Sequence, residues 1–302
     1  MWQDYSFSVR DGTRLYGRRY SSGRSNRRPL LCLAALGGNS THFDGLARSL
    51  SAAGAEQRDV YALDFYGRGR STRDGRRSDI SLLADAEDAL DFMTLTGLKQ
   101  TVLLGSGHGG QVAMLMAVLR PAAVSGLILN DAAPEFEAEG VARVVGEIAS
   151  LPVPASFADA AHMLRLMQGA TYPRLTTADW TELARAQYPD QGGKPGRPYD
   201  PALAQSYSLT ANGAARLTLW SQFAALKRVP MLLLCGELSH MLGKATVARM
   251  ADLHPRLEVV KAMGEGHPPL LRDRTSQGAI AQFLARGEYR DQRPELQLKA
   301  VA

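Results

Sequence analysis

The sequence predicts an α/β fold in which helices cover both faces of a mostly parallel sheet. Short apolar runs of strand length alternate with segments whose apolar residues recur at helical spacing. The alternation stops for about ninety residues and then resumes, which predicts a helical cap inserted into the sheet domain. Because ligands bind at the carboxyl ends of the strands in such sheets, we expect the cap to cover that edge.

The first half of the chain supplies six of the eight predicted strands. A β-hairpin comes first, because two alternating segments, "YSFSVRDG" and "TRLYGRRY", flank an Asp-Gly turn. The following strands are "PLLCLAAL", "DVYALDF", "TVLLGS" and "VSGLILND". Between them we predict a helix from about Thr41 to Ala53, then "DISLLADAEDALDFMTL", and then "GGQVAMLMAVLR", which Pro121 ends.

The second half begins with the cap. Its pattern is helical from Ala133 to about Leu226, interrupted by prolines and by the loop "QGGKPGRPYD". The strands "VPMLLLCGE" and "LEVVKAM" follow, with helices near Ala245 to Leu253 and Thr275 to Leu284. We therefore expect a core of residues 1–132 and 227–290, a helical cap of residues 133–226, and a loose tail of residues 291–302.

Composition excludes several classes of protein. The 302 residues are 45% hydrophobic and 22% charged, which is enough for a large core. Cys32 and Cys235 lie in apolar runs and are predicted to be buried thiols. The chain begins without the apolar run of a signal peptide and has no run of membrane-spanning length, so a soluble, cytoplasmic protein is expected. The formal charge of +5 comes mostly from arginines in polar turns, which we interpret as solvated loops and not as a nucleic-acid surface.

Four motifs, in order along nearly the whole chain, resemble those of the α/β-hydrolase family, and of a capped bacterial group within it. They are "DFYGRGRS" after the fourth strand, "LLGSGHGG" after the fifth, "LNDAAPEFEAEG" after the sixth, and "GEGHPPLLRD" near the end. The resemblance implies an eight-stranded α/β-hydrolase fold. It also implies that His267, in the last motif, is the catalytic histidine.

The chain departs from the family pattern at the nucleophile. The family presents a serine in a strained Gly-x-Ser-x-Gly turn between a strand and a helix. The glycines of this chain place Gly107 at that position, and glycine has no side chain to supply a nucleophile. Ser106 is adjacent, but a shift of one residue in such a turn points its side chain elsewhere. The amides of Leu36 and His108 remain available for an oxyanion hole, with His108 flanking the pocket or simply opening the helix.

The family's usual acid is also replaced. Similar capped hydrolases carry an aspartate after the seventh strand, where this chain has His240 in "GELSHML". The resemblance therefore implies a degenerate catalytic triad. Asp131, at the end of the sixth strand, is the carboxylate we expect to orient His267, although it could instead cap a loop; Glu237 is a weaker alternative. His267, Asp131 and His240 are the candidate catalytic residues, and no ligand-spaced cluster predicts a metal.

These residues leave three hypotheses for function. The first is a repurposed enzyme that needs no cofactor, in which His267 moves protons for a lyase, cyclase, isomerase or oxygenase-type step on an apolar carbonyl or phenolic substrate. The oxygenase form rests on a loose resemblance of the turn to cofactor-independent dioxygenases, which use a His–Asp dyad. The second is a ligand-binding pseudoenzyme, and the third is a weak hydrolase whose water His267 activates. The expected partner is a small molecule in a capped apolar pocket, and a homodimer is left open.

Overall fold

The predicted mostly parallel sheet with helices on both faces is present in the computed structural model, which describes residues 2–204 except 24, 53, 55, 56, 76 and 78, and residues 218–289. The strands are β1 (Trp2–Ser8), β2 (Arg14–Tyr20), β3 (Leu30–Leu33), β4 (Val60–Asp64), β5 (Thr101–Ser106), β6 (Val124–Asn130), β7 (Asp190–Gln191), β8 (Lys194–Pro195), β9 (Met231–Gly236) and β10 (Leu257–Ala262). Eight of them form one sheet in the order β1-β2-β4-β3-β5-β6-β9-β10. The hairpin strand β2 pairs antiparallel with β1 and β4, and the other neighbours pair in parallel.

Helices follow the strands as the sequence pattern predicts. The α-helices among the described residues are α1 (Asp44–Ser51), α2 (Leu82–Leu95), α3 (His108–Leu119), α4 (Ala138–Ser150), α5 (Phe157–Gln168), α6 (Thr177–Gln187), α7 (Trp220–Ala225), α8 (Lys244–Leu253) and α9 (Arg274–Tyr289). A 3₁₀ turn at Ser40–Phe43 precedes α1, so that the predicted helix from Thr41 becomes two pieces. None of these helices combines the length and the apolar character needed to cross a membrane.

The core lies on both faces of the sheet. Successive residues of β3 point to opposite faces: Leu31 and Leu33 join the apolar cluster under α2 and α3, whereas Leu30 and Cys32 join the one under α1 and α9. All four side chains are fully buried. This two-sided burial explains why β3 is a continuous apolar run rather than an alternating one.

The strand order decides which residues meet at the carboxyl edge. In the sheet, β6 lies between β5 and β9, with Asn130 opposite Ser106 on one side and Leu234 on the other. The residues that follow these strands therefore emerge side by side. Gly107, Asp131 and the loop after β9 share one edge of the sheet.

The chain between β6 and β9 covers this edge. Its helices α5 and α6 enclose a small core of their own, built around Leu164, Tyr172, Trp180 and Tyr188. The two-residue strands β7 and β8 also lie in this segment and were not expected, because strands so short leave no periodic signal. Part of the predicted cap, residues 205–217, and the predicted tail, residues 291–302, lie outside the described residues.

Candidate active site

The turn between β5 and α3 brings Gly107 to the sheet edge. Its φ of 48° and ψ of −113° lie outside the helix and strand regions, in a conformation that glycine adopts at little cost. Its N–H donates to the Asn130 carbonyl at 2.9 Å, which ties the turn to β6. The first turn of α3 packs so closely against β3 that a Cβ on Gly109 would lie 2.2 Å from the Leu33 carbonyl oxygen. Residues 105–110 therefore form the tight strand–turn–helix that their glycines predict.

His267 lies directly over this turn. It follows β10 in a loop, and its side chain is 11% exposed. A Cβ on Gly107 would lie 2.9 Å from both Cε1 and Nε2 of the imidazole. That distance is shorter than any ordinary carbon contact. The imidazole therefore packs against the space in which a side chain at position 107 would begin.

Asp131 holds the opposite side of the His267 ring. Its Oδ2 lies 2.7 Å from His267 Nδ1, and its side chain is fully buried. The Gly236 N–H donates to Oδ1 at 2.9 Å, and the Ser239 hydroxyl donates to Oδ2 at 2.5 Å. A carboxylate oxygen accepts from a ring N–H, so the tautomer that fits this contact carries its proton on Nδ1 and leaves Nε2 as the proton-accepting nitrogen. The expected contact between these two residues is present, and their catalytic role remains a prediction.

The backbone of Asp131 has an unusual conformation. Its φ is 51°, in the left-handed region that non-glycine residues seldom adopt, although aspartate tolerates it better than most. Its N–H donates to the Leu234 carbonyl at 2.7 Å, extending the pairing of β6 with β9 by one residue. The strand thus ends with a turn that aims the carboxylate at His267. Strained residues of this kind concentrate at functional sites.

The loop that carries His267 is fixed by the cap. The hydroxyl of Tyr172, which follows α5, donates to the carbonyls of His267 at 2.9 Å and of Pro268 at 2.8 Å. Burial raises the pKa of this phenol well above its usual value, so it stays a donor at any physiological pH. The ring of Phe136 meets the imidazole edge to face at 6.2 Å. Neither aromatic residue was predicted from the sequence, since nothing in it links them to His267.

His240 does not take the place that its sequence position suggested, and the Ser106 hydroxyl does not occupy the nucleophile position. The side chain of His240 is exposed, and its neighbour Ser239 is the residue that turns toward Asp131. His240 is therefore not brought into the hydrogen-bonded set with His267. The Ser106 hydroxyl is buried and accepts from Asn130 Nδ2 at 2.9 Å, and that amide also donates to the Pro269 carbonyl. Ser106 thus takes part in a structural tie beneath the turn.

A large cavity opens above the dyad. Its volume is about 1350 Å³, and His267, Leu36, His108 and Ser106 all contribute to its wall. Most of the remaining wall is apolar and comes from the cap and α3, including Leu115, Phe136, Val144, Ile148, Leu164 and Met167. Gln111 and Gln168 are among the polar groups. Mainly apolar walls with a few polar groups are typical of small-molecule sites in proteins.

No group of three histidine, cysteine or carboxylate side chains is placed to hold a metal ion within the described parts of the chain. The chemistry that the site can perform with its own residues is proton transfer. His267 lines the cavity, and the buried carboxylate beside it can stabilise the charge that the ring would acquire.

Comparison with known proteins agrees with this architecture. Residues 28–273 match the family model described as alpha/beta hydrolase fold. The 3-hydroxybutyrate-oligomer hydrolase of Cupriavidus necator is 29% identical over 267 residues, which cover 86% of this chain and 89% of that protein. The crystal structure of an alpha/beta hydrolase from Novosphingobium aromaticivorans superposes with a TM-score of 0.86 at 29% identity, covering 94% of this chain and 98% of that one.

The structure of E-2-(acetamidomethylene)succinate hydrolase superposes with a TM-score of 0.74 over 96% of this chain and all of that chain. At 19% identity this similarity concerns the fold alone. The family match, in contrast, spans most of the sequence and includes both the Gly107 turn and His267. The chain belongs to the α/β-hydrolase family.

Proposed function

We propose that this protein is an α/β-hydrolase-fold enzyme without a serine nucleophile, in which the His267–Asp131 dyad activates a water molecule to hydrolyse an ester. One observation carries the proposal. At the turn where the family presents its nucleophile the chain has Gly107, and Nε2 of an oriented His267 packs against that position. The base of the usual mechanism is in place without the group that it would normally activate.

In the proposed reaction a single group, the imidazole of His267, accepts a proton and later returns it. Nε2 takes a proton from water as the water oxygen attacks the ester carbonyl, and Asp131 stabilises the imidazolium that forms. The carbonyl oxygen becomes an oxyanion, which the amides of Leu36 and His108 at the same edge would stabilise. The tetrahedral intermediate then expels the alkoxide, which takes the proton from Nε2. The products are a carboxylic acid and an alcohol, and no bond to the protein forms.

The relatives favour water, rather than the substrate itself, as the group from which His267 takes a proton. The Cupriavidus relative is named for hydrolysis of 3-hydroxybutyrate oligomers, which are chains of short hydroxyacyl esters. We therefore take short hydroxyacyl and acyl esters as the first substrates to test. The apolar cavity also suits an apolar carbonyl or phenolic compound, from which His267 would remove a proton directly in an isomerase, lyase, cyclase or oxygenase-type reaction. A ligand-binding protein without turnover is the remaining alternative.

The test is hydrolysis of p-nitrophenyl butyrate and of the 3-hydroxybutyrate dimer by the wild type, His267→Gln and Asp131→Asn. We expect His267→Gln to lower kcat/KM about 10²–10⁴-fold, since this is the usual contribution of a positioned proton-transfer group. Asp131→Asn should also be slow, because an amide cannot stabilise the imidazolium. His162→Gln, at an exposed position of α5, is the matched control and should match the wild type.

Three other results of these assays would each exclude the proposal. Equal rates for the wild type and His267→Gln would contradict it. If the esters stay intact while the wild type exchanges the α-hydrogens of an apolar ketone such as 4-phenyl-2-butanone with D₂O, and His267→Gln does not, the dyad removes protons from substrate instead. Saturable binding of the ketone without either reaction would identify a ligand-binding protein.

A further inference from the structure

Three buried polar residues lie behind the backbone segments that flank the Gly107 turn. Arg68, Asp85 and His108, here called the Arg68 cluster, have exposed fractions of 0%, 2% and 6%. They come from three separate places: the motif after β4, helix α2, and the first residue of α3. The proposed mechanism does not use their side chains. Burying charge is costly in free energy, so such a cluster calls for an explanation.

The contacts within the cluster are short. Arg68 Nη1 donates to Asp85 Oδ1 at 3.1 Å, and Nη2 lies 3.1 Å from Oδ2. His108 Nε2 lies 2.7 Å from the same Oδ2. The Asp85 carboxylate therefore joins the guanidinium to the imidazole.

The outer contacts of the cluster reach both sides of the site. Arg68 Nε donates to the Leu36 carbonyl at 3.0 Å and Nη1 donates to the Tyr66 carbonyl at 2.9 Å, while the His108 imidazole, bound to Asp85, belongs to the residue that begins α3. Leu36 and His108 are the two residues whose amides are proposed to stabilise the oxyanion, and both line the cavity. Only two rotatable bonds separate the amide of a residue from its own carbonyl, so fixing the carbonyl restricts the amide.

The charges of the cluster are defined. Burial raises the pKa of Asp85, but Arg68 and His108 outweigh it, and the pKa lies below its ordinary value. Burial lowers the pKa of His108, and the bond to Asp85 opposes this in part. At neutral pH Asp85 is therefore ionised and His108 neutral, so that His108 donates from Nε2. The positive charge of Arg68 and the negative charge of Asp85 therefore cancel.

We propose that the Arg68 cluster is a positioning unit that holds the Leu36 and His108 backbone segments at the spacing that an oxyanion requires. The inference rests on the proposed function, and it concerns residues that position the site without touching substrate. Apolar side chains of similar size would stabilise this part of the fold about as well. They could not, however, tie a carbonyl on one side of the turn to a side chain on the other.

The experiment compares two variants of the cluster with a matched control. Asp85→Asn removes the charge that joins the two sides. Arg68→Lys keeps a positive charge beside Asp85 and removes the forked donor that reaches Leu36, so it tests the tether even where Asp85→Asn fails to fold. The control is Asp88→Asn, because Asp88 is buried on the same helix and binds Arg77 through two contacts, away from Leu36 and His108.

Two ligands distinguish a loss of positioning at the oxyanion site from a general disturbance of the cavity. Butylphosphonate is a tetrahedral anion that resembles the proposed intermediate, whereas 1-hexanol occupies apolar space without an anionic oxygen. Calorimetry measures the Kd of each, and p-nitrophenyl butyrate gives kcat and KM. In both cluster variants we expect a loss of about tenfold or more in butylphosphonate affinity and of about 10–100-fold in kcat, the range expected from a small displacement of catalytic groups.

KM and the affinity for 1-hexanol should change less than about threefold, and Asp88→Asn should match the wild type throughout. Wild-type affinity for butylphosphonate in either cluster variant would overturn the inference, as would an equal loss of affinity for 1-hexanol. Failure of the wild type to bind butylphosphonate would overturn it too. A wild type that binds butylphosphonate but leaves the esters intact would refute ester hydrolysis, while the Kd values would still decide the role of the cluster.

Discussion

Asp131, which directly follows β6, places a buried carboxylate against the imidazole of His267. Three donors converge on it: His267 Nδ1–H, the Gly236 amide and the Ser239 hydroxyl. These contacts fix the direction of the carboxylate, which in turn keeps Nδ1 of the His267 ring toward Asp131. The last residue of β9 contributes an amide to this arrangement, and the loop after β9 contributes a hydroxyl instead of an acid. His240 has no part in it.

The contact between His267 and the Gly107 turn gives the first residue-scale prediction. Gly107→Ser should introduce a nucleophile beside an oriented base, and so create a site for covalent labelling by a fluorophosphonate. A companion change of His240 to aspartate is unnecessary, because Asp131 already orients the ring. The new Cβ starts 2.9 Å from the imidazole at a φ of 48°, which costs about 1–3 kcal/mol of strain and displaces the ring slightly. Labelling is measured by mass spectrometry of the intact protein.

Gly107→Ala is the control for this experiment. It adds the same Cβ, with the same steric effect on His267, but no hydroxyl. We expect Gly107→Ala to lose ester hydrolysis and to remain unlabelled. If both variants stay unlabelled although folded, a hydroxyl at position 107 is not activated by His267, which contradicts the prediction.

At the scale of the elements, the cap does more than close the cavity. Tyr172 follows α5, packs with Trp180 in the core of the cap, and donates to two consecutive carbonyls of the loop that carries His267. The loop after β10 is thus held on one side by Asp131 and on the other by the cap. The cap and the His267 loop are therefore joined by hydrogen bonds.

Tyr172→Phe should loosen that loop. Each hydrogen bond of this kind contributes about 0.5–1.5 kcal/mol to stability, and removing the hydroxyl leaves two carbonyls without their donor. We expect kcat for p-nitrophenyl butyrate to fall about tenfold with a smaller change in KM, because the base is misplaced rather than lost. Tyr188→Phe is the matched control, since the Tyr188 hydroxyl donates within the cap, to Pro152 at 3.2 Å. Equal effects of the two substitutions would show that the cap is only being destabilised.

The sequence predicts the whole molecule better than its details. Alternating strand and helix patterns fix the sheet and its cap, and the glycines from Gly105 to Gly110 fix the turn, because local spacing and backbone freedom determine both. The contacts of Asp131 and Tyr172 with His267 join residues 136 and 95 positions apart, and only the folded chain brings them together. Which of Ser239 and His240 faces inward depends on one turn of the backbone, which no periodicity specifies.

Buried histidines predict how the stability of the whole molecule depends on pH. His254 is 1% exposed, and its Nε2 lies 3.0 Å from the Leu226 carbonyl oxygen. Burial lowers the pKa of His254 below 6.5, although the bond to Leu226 opposes the shift. As the pH falls through about 6.5, the unfolded chain takes up a proton that the folded chain does not, so stability is lost toward acid. His108 acts in the same direction.

Urea unfolding between pH 7 and pH 5 measures this loss. His254→Gln keeps an N–H donor for Leu226 and removes the titrating group. We expect its free energy of unfolding to fall less steeply with pH than that of the wild type, by at most about 1.4 kcal/mol per pH unit. Parallel pH dependences in the two proteins would mean that His254 titrates alike in the folded and unfolded chains.

In the proposed mechanism His267 acts on water directly, without a covalent intermediate on the protein. Mass spectrometry of the wild type, treated with a fluorophosphonate and then assayed with p-nitrophenyl butyrate, tests it most directly. We expect a chain of unmodified mass and an undiminished rate, because no hydroxyl stands at position 107 and the Ser106 hydroxyl is bound by Asn130. An adduct on Ser106, accompanied by loss of activity, would contradict it.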